Sequence, residues 1–166
     1  MESTTLLKIA GLLFGFIGFT VSAVGMGTGK WIDSILVEIG PFCSNTIGTA
    51  VEAVEAMTLM GEIMAGFGLC LGFVTILPGQ NQITVGQTVL GPKATGGCFT
   101  IAGFIMYIGV IIWGTKVYSL LKVFGPLGYS FYLCCAGGSI LLVGGLLFFL
   151  SARGSQLSPN QTRLIP

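Results

Sequence analysis

The sequence contains no histidine, and only 8% of its 166 residues are charged. Without imidazole it lacks the commonest metal ligand and the commonest general base, which sets aside His-based zinc, haem and triad chemistry. Seven Lys and Arg against six Asp and Glu leave a net charge of +1, so there is no basic face for nucleic acid and no acidic block of the kind that forms a solvated tail. Five cysteines contain no C-x-x-C pair, which argues against thiol–disulfide exchange. What fills the chain is apolar: 53% of residues are hydrophobic and the mean hydropathy is strongly positive, the composition of a protein that lives in lipid.

A membrane-crossing helix needs about 20 mostly apolar residues. Four runs between charged or turn-rich segments meet that length, at about 9–27, 56–77, 97–115 and 129–150. The first follows Lys8 as a secretory signal would, but it is longer than a signal core and Gly-rich to its end, so it reads as a retained helix. The expectation is one all-α membrane domain over 1–151, a four-helix bundle, with a polar tail at 152–166. An even number of crossings puts both termini on one side. The first connection, 28–55, holds Trp31, Asp33, Glu38, Pro41, Cys43, Glu52 and Glu55, and its β-branched start at 31–39 suits a short strand. The second, 78–96, is rich in amides, and the third, 116–128, turns at Gly125-Pro126. Charge does not choose the orientation, because Lys8, Lys93, Arg153 and Arg163 on one side nearly balance Lys30, Lys116 and Lys122 on the other.

Glycine is the strongest internal signal, with 27 residues lying mostly in the spans. Gly11 with Gly15, and Gly68 with Gly72, have the small-xxx-small spacing that lets helix backbones approach in lipid. Such faces serve packing within the bundle or contact with a partner helix. Glu62 is the one ionisable group well inside a span, and an intramembrane acid is a functional candidate by default. Glu52, Glu55 and Glu62 share one helical stripe, which starts the second helix within the first connection and sets Glu62 a turn or two below the interface. Its role is either structural, bonded to a neighbouring helix, or a contact to a partner or ion. A proton relay would want a second buried titratable group in the middle of another span.

Cys43 is the only loop cysteine, so the first connection cannot close a disulfide on itself; it is a free thiol or pairs with another chain. Cys134-Cys135 reads as small-residue packing, with acylation as the alternative. Asn160-Gln161-Thr162 matches a glycosylation acceptor that is inert on a cytoplasmic tail. Trp31, Tyr107, Trp113, Tyr118, Tyr129, Phe131 and Tyr132 gather near span ends as an interfacial belt, and Trp31 stands apart at the head of the acidic loop.

Lys93-Ala94-Thr95-Gly96-Gly97 leading through Gly103 to Trp113-Gly114-Thr115-Lys116, and Gly128-Tyr129-Ser130-Phe131-Tyr132-Leu133 continuing to Gly144-Gly145, join a first loop that opens with Trp31. Together they resemble the claudin superfamily, which also holds the peripheral myelin and epithelial membrane proteins, the lens fibre membrane protein, the calcium-channel gamma subunits and the natural killer cell granule protein. The resemblance implies cytoplasmic termini and an extracellular first loop with some sheet character. That superfamily's loop signature is Trp, then Gly-Leu-Trp, then two Cys. Here Gly40-Pro41-Phe42 stands where Gly-Leu-Trp would be, Cys43 has no second cysteine, and Leu164-Ile165-Pro166 replaces the hydrophobic carboxylate end offered to PDZ scaffolds. The short-loop branches, which work in vesicle or granule membranes or as accessory partners, fit better than the junction-forming ones.

The expected function is therefore non-enzymatic and without a cofactor or metal: lateral contact in the surface, vesicle or granule membrane, with itself or another membrane protein, influencing that partner's assembly, trafficking or gating. The candidate contacts are Trp31, Phe42, Cys43, Glu62, Gly11, Gly15, Gly68 and Gly72, alongside membrane lipid. The alternative is claudin-like adhesion at a cell junction. A transporter or membrane enzyme ranks last, because one buried acid makes no catalytic constellation and no broken-helix repeat is present.

Overall fold

A computed structural model describes residues 3–32, 48–77, 84–85, 88–121, 123 and 125–157. Four helices are long and apolar enough to cross a membrane, making this a multi-pass membrane protein. They are α1 (Ser3–Gly27), α2 (Gly48–Ile76), α3 (Leu90–Ile112) and α5 (Tyr129–Leu157). α3 runs on through a π-helical turn at Trp113–Val117 into a short α4 (Tyr118–Leu121). In the second connection β1 (Thr84–Val85) pairs antiparallel with β2 (Thr88–Val89). The β-branched Thr-Val pairs on either side of Gly86-Gln87 carry that hairpin signal in the sequence.

Each helix outlasts its apolar run, because hydropathy measures only the part in hydrocarbon while helical hydrogen bonds go on satisfying the backbone beyond it. The second helix begins at Gly48, which makes Glu52 and Glu55 helical as their stripe suggests. The third begins at Leu90 rather than 97, because Pro92 falls in the first turn, where its missing N–H is one of the unpaired donors anyway. The fourth runs to Leu157, past the expected tail boundary at 152, because Gly154 lies against Thr4 at the start of α1.

Small residues decide which helices touch. On α1, Gly11, Gly18 and Gly25 recur every seven residues; on α5, Ser130, Gly137, Gly144 and Ser151 do the same. The two rows face each other antiparallel. A Cβ on Gly137 would stand 2.6 Å from Ser22 Cβ and 2.7 Å from Ser22 N, and one on Gly25 would stand 2.9 Å from Ser130 O. The other face of α5 meets α3 in the same way, since a Cβ on Gly145 or on Gly96 would lie 2.9 Å from the other's carbonyl oxygen. α2 packs on α3 through Thr58 against Gly109, Gly61 against Met106, Gly68 against Phe99 and Thr75 against Gly91. α1 meets α2 far more lightly than it meets α5.

The buried core falls into two clusters. One surrounds Trp31, Ile32, Val51, Val54, Val110, Trp113, Val117 and Cys134; the other surrounds Ala65, Leu69, Phe99, Ala102, Met106, Leu141 and Phe148. Replacing Gly137 by Ala drives a methyl group into the α1 backbone, and overpacking of that kind costs about 1–3 kcal/mol. Gly97 has nothing within 4 Å of its Cβ position, so Ala there should be neutral or slightly stabilising. Unfolding midpoints in mild detergent should therefore fall for Gly137→Ala and hold or rise for Gly97→Ala.

Candidate functional site

Two places concentrate polar chemistry, and the first is a clasp where the chain leaves α1 and enters α5. α1 stops at Gly27 and leaves carbonyls without helical partners. The Trp31 indole N–H donates to Gly25 O at 3.0 Å, so the chain folds back over the helix end it has just left. The ring is fully buried, edge-on to Trp113 at a centroid distance of 5.0 Å and to Phe131 at 6.0 Å. The same segment then serves α5, whose first N–H groups also lack helical partners. Lys30 O accepts from Ser130 N at 3.3 Å, Trp31 O accepts from Gly128 N at 2.8 Å, and the Thr28 and Ser130 hydroxyls stand 2.9 Å apart. Ile32 bridges to Leu127, and a Cβ on Gly128 would run into the Lys30 carbonyl, so this crossing requires glycine.

The second place is Glu62, midway along α2 and 7% exposed. Measured on α1, its level is that of Ser22, little more than a turn below the end of that helix. The Ser22 hydroxyl faces it across the α1–α2 seam but donates to Gly18 O of its own helix at 2.8 Å. From α5, the Cys134 thiol on the same side donates to Ser22 O at 3.8 Å. Neither carboxyl oxygen has a hydrogen-bond partner among the described residues, and Trp113 Nε1 is the other buried side-chain polar atom among them left without one. Glu62 lies on α2 between Val54 of one core cluster and Ala65 of the other, a polar level between two apolar ones.

The remaining candidates separate. Gly11, Gly15, Gly68 and Gly72 are buried and turned toward Phe148, Phe99 and Leu12 of the same chain, so their faces serve the bundle and are not open to a partner helix. Phe42, Cys43 and most of the first-loop strand expected at 31–39 lie outside the described residues. Besides the buried Trp31, two members of the expected belt are elsewhere. Trp113 is in the core, and Tyr107 bonds the Ser139 hydroxyl, with the Cys135 carbonyl at 3.4 Å, because a hydroxyl within a span finds a partner on the next helix more readily than water. Tyr129 and Tyr132 are exposed at the start of α5. Cys70 faces outward, while Cys134 is buried against Gly25 as a small packing residue. Among the described residues no group of three or more Cys, Asp or Glu is placed to hold a metal ion.

The residues missed in sequence are Ser22, Thr28 and Ser130. The seven-residue recurrence of Gly11, Gly18 and Gly25 and of Ser130, Gly137 and Gly144 was the available signal, since it puts Ser22 and Ser130 on the α1–α5 seam. No protein-family profile matches this chain, and no curated protein matches it.

Trp31 offers a clean separation of its two roles. Trp31→Phe keeps an aromatic ring beside Trp113 and loses the bond to Gly25 O, a loss of about 1 kcal/mol. Trp31→Ala removes the ring as well and should destabilise the fold by about 3–5 kcal/mol. Detergent unfolding of the two variants should show that order.

Proposed function

We propose that this chain is a non-enzymatic multi-pass membrane protein of claudin-like layout, acting by lateral contact as an accessory or organising subunit for a membrane partner or for copies of itself. The observation that carries this reading is where the small residues went. The glycine rows are consumed between helices of one chain, and the interior is filled by Trp31, Trp113, Phe99, Phe148, Met106 and Leu141. What the protein offers outward is the exposed apolar helix surface, such as Phe16, Ile63, Phe67, Phe104 and Ile111. Trp31 then acts as the anchor of the first connection, with Phe42 and Cys43 as its contact residues beyond the anchor. The claudin-like layout favours cytoplasmic termini and a surface, vesicle or granule membrane.

Adhesion between facing cells is the second reading, favoured by the Ile32–Leu127 bridge and the Lys30–Ser130 bond, which fix the first and third connections to one another at one end of the bundle. Mixing cells that express a tagged chain with cells that lack it separates the two. Signal spread evenly over the surface or in vesicles, with the same membrane proteins biotinylated by a tail-fused proximity label in repeated preparations, is the expected outcome. Enrichment only at boundaries between two expressing cells would replace it by the adhesion reading.

A further inference from the structure

The charges at the two ends of the bundle are not alike. Where α2 begins, Glu52 and Glu55 stand at the same end as Lys30 and Lys116, so both signs are present. Where α1 begins, the charged residues among those described are Lys8, Lys93 and Arg153, and every one is a cation. No acid follows Glu62 in the sequence, so α3 and α5 carry none, and Glu2 is the only acid before the first span. Helix contacts bring two of these cations to one groove. α3 and α5 run antiparallel, and a Cβ on Gly96 would lie 3.4 Å from Phe149 Cδ2. Lys93 is three residues from Gly96 and Arg153 four from Phe149, both toward the same end, and those spacings return to the same side of a helix. The pair therefore flanks the α3–α5 groove about one turn beyond the Gly96 contact, with Arg153 exposed and Lys93 half-buried. Lys8 is placed differently: seven residues before Gly15, which meets Phe99, it belongs to the stripe of α1 turned into the bundle.

We propose that Lys93 and Arg153 bind the headgroup of an anionic phospholipid whose acyl chains lie along the α3–α5 groove. Charge complementarity selects that occupant. A guanidinium presents a fork of donors that matches phosphate oxygens, and an ammonium adds a compact point charge beside it. Neither has an acid to pair with among the described residues at this end, so a phosphate supplies the counter-charge that the protein does not. Lys93 also stands in the first turn of α3, where the positive end of the helix dipole acts in the same direction. Past the two cations the surface is apolar: Gly97 has nothing within 4 Å of its Cβ position, and Ile101, Phe104, Leu146 and Leu150 are exposed. A basic headgroup site at the mouth of a groove between membrane helices, with hydrocarbon laid along the groove, suits a lipid better than a soluble anion. With the termini cytoplasmic, as proposed above, this leaflet is the one that carries anionic lipid. The site itself does not depend on that orientation, so a binding measurement tests it separately from the accessory-subunit reading.

The test is native mass spectrometry of the full chain in mild detergent, with palmitoyl-oleoyl phosphatidylglycerol or the matching phosphatidylcholine added. The chain should retain phosphatidylglycerol in preference to phosphatidylcholine by roughly tenfold or more. Lys93→Gln and Arg153→Gln should each weaken that retention roughly fivefold, and Lys93→Arg should keep it. Lys8→Gln, on the inward stripe, and Lys116→Gln, at the far end, should leave it within about twofold. Equal retention of the two lipids by the unaltered chain would overturn the proposal, and that comparison needs no variant to fold. Equal losses from all four charge removals, the mark of diffuse attraction, would also overturn it. So would displacement of the lipid by millimolar inorganic phosphate, which would assign the pair to a free anion.

Discussion

Backbone-to-backbone contact between α1 and α5 is the constraint from which the rest of the structure follows. In lipid there is no hydrophobic drive to bring helices together, since the tails are as apolar as leucine, and dispersion between closely approaching surfaces must do it instead. Dispersion falls steeply with separation, so it favours positions without a side chain. The facing rows of Gly11, Gly18 and Gly25 and of Gly137 and Gly144 meet this requirement, and the 2.7 Å that would separate a Gly137 Cβ from Ser22 N shows how little room is left. The same logic repeats at Gly96 and Gly145 between α3 and α5, which makes α5 the helix that both α1 and α3 are built against.

That registry fixes a step at one end of the bundle. α1 stops at Gly27 and α5 starts at Tyr129, while α2 begins at Gly48 and α3 continues through Val117, with Gly109 already level with Val54 and Thr58. The α2–α3 pair consequently stands taller than the α1–α5 pair on this side. Trp31 fills the step: its ring packs with Trp113, Phe131, Val51 and Val54, and its N–H closes the open end of α1. The polar ends of α1 and α5 are then satisfied by each other through Thr28, Lys30 and Ser130 instead of by water. A loop attached here is held from both sides of its root.

Much of this was legible from the residues, because hydropathy and glycine spacing are direct expressions of the lipid environment. The four spans and the helical extension through Glu52 and Glu55 follow from hydropathy and periodicity. Helix ends did not, because hydropathy cannot see a helix beyond the hydrocarbon, as Leu90 and Leu157 show. Tyr107 and Trp113 were placed in a belt from their distance along the chain, whereas their positions depend on which face of α3 they occupy, and that is set by contacts with α5 and α2. Ser22 was readable only through the glycine recurrence that sets it on the α1–α5 seam, because a serine in an apolar run has no distinctive spacing of its own.

The two core clusters explain why a polar level is tolerable where it stands. A carboxyl within either cluster would displace Phe99, Met106 or Trp113 from contacts that reach across three helices. Between the clusters it displaces little, because α1 and α2 are held together mainly through their separate partners, α5 and α3. The three tight seams, by contrast, are secured by many contacts between backbones and respond little to any one polar group. The α1–α2 face is therefore the most indirectly supported part of the bundle.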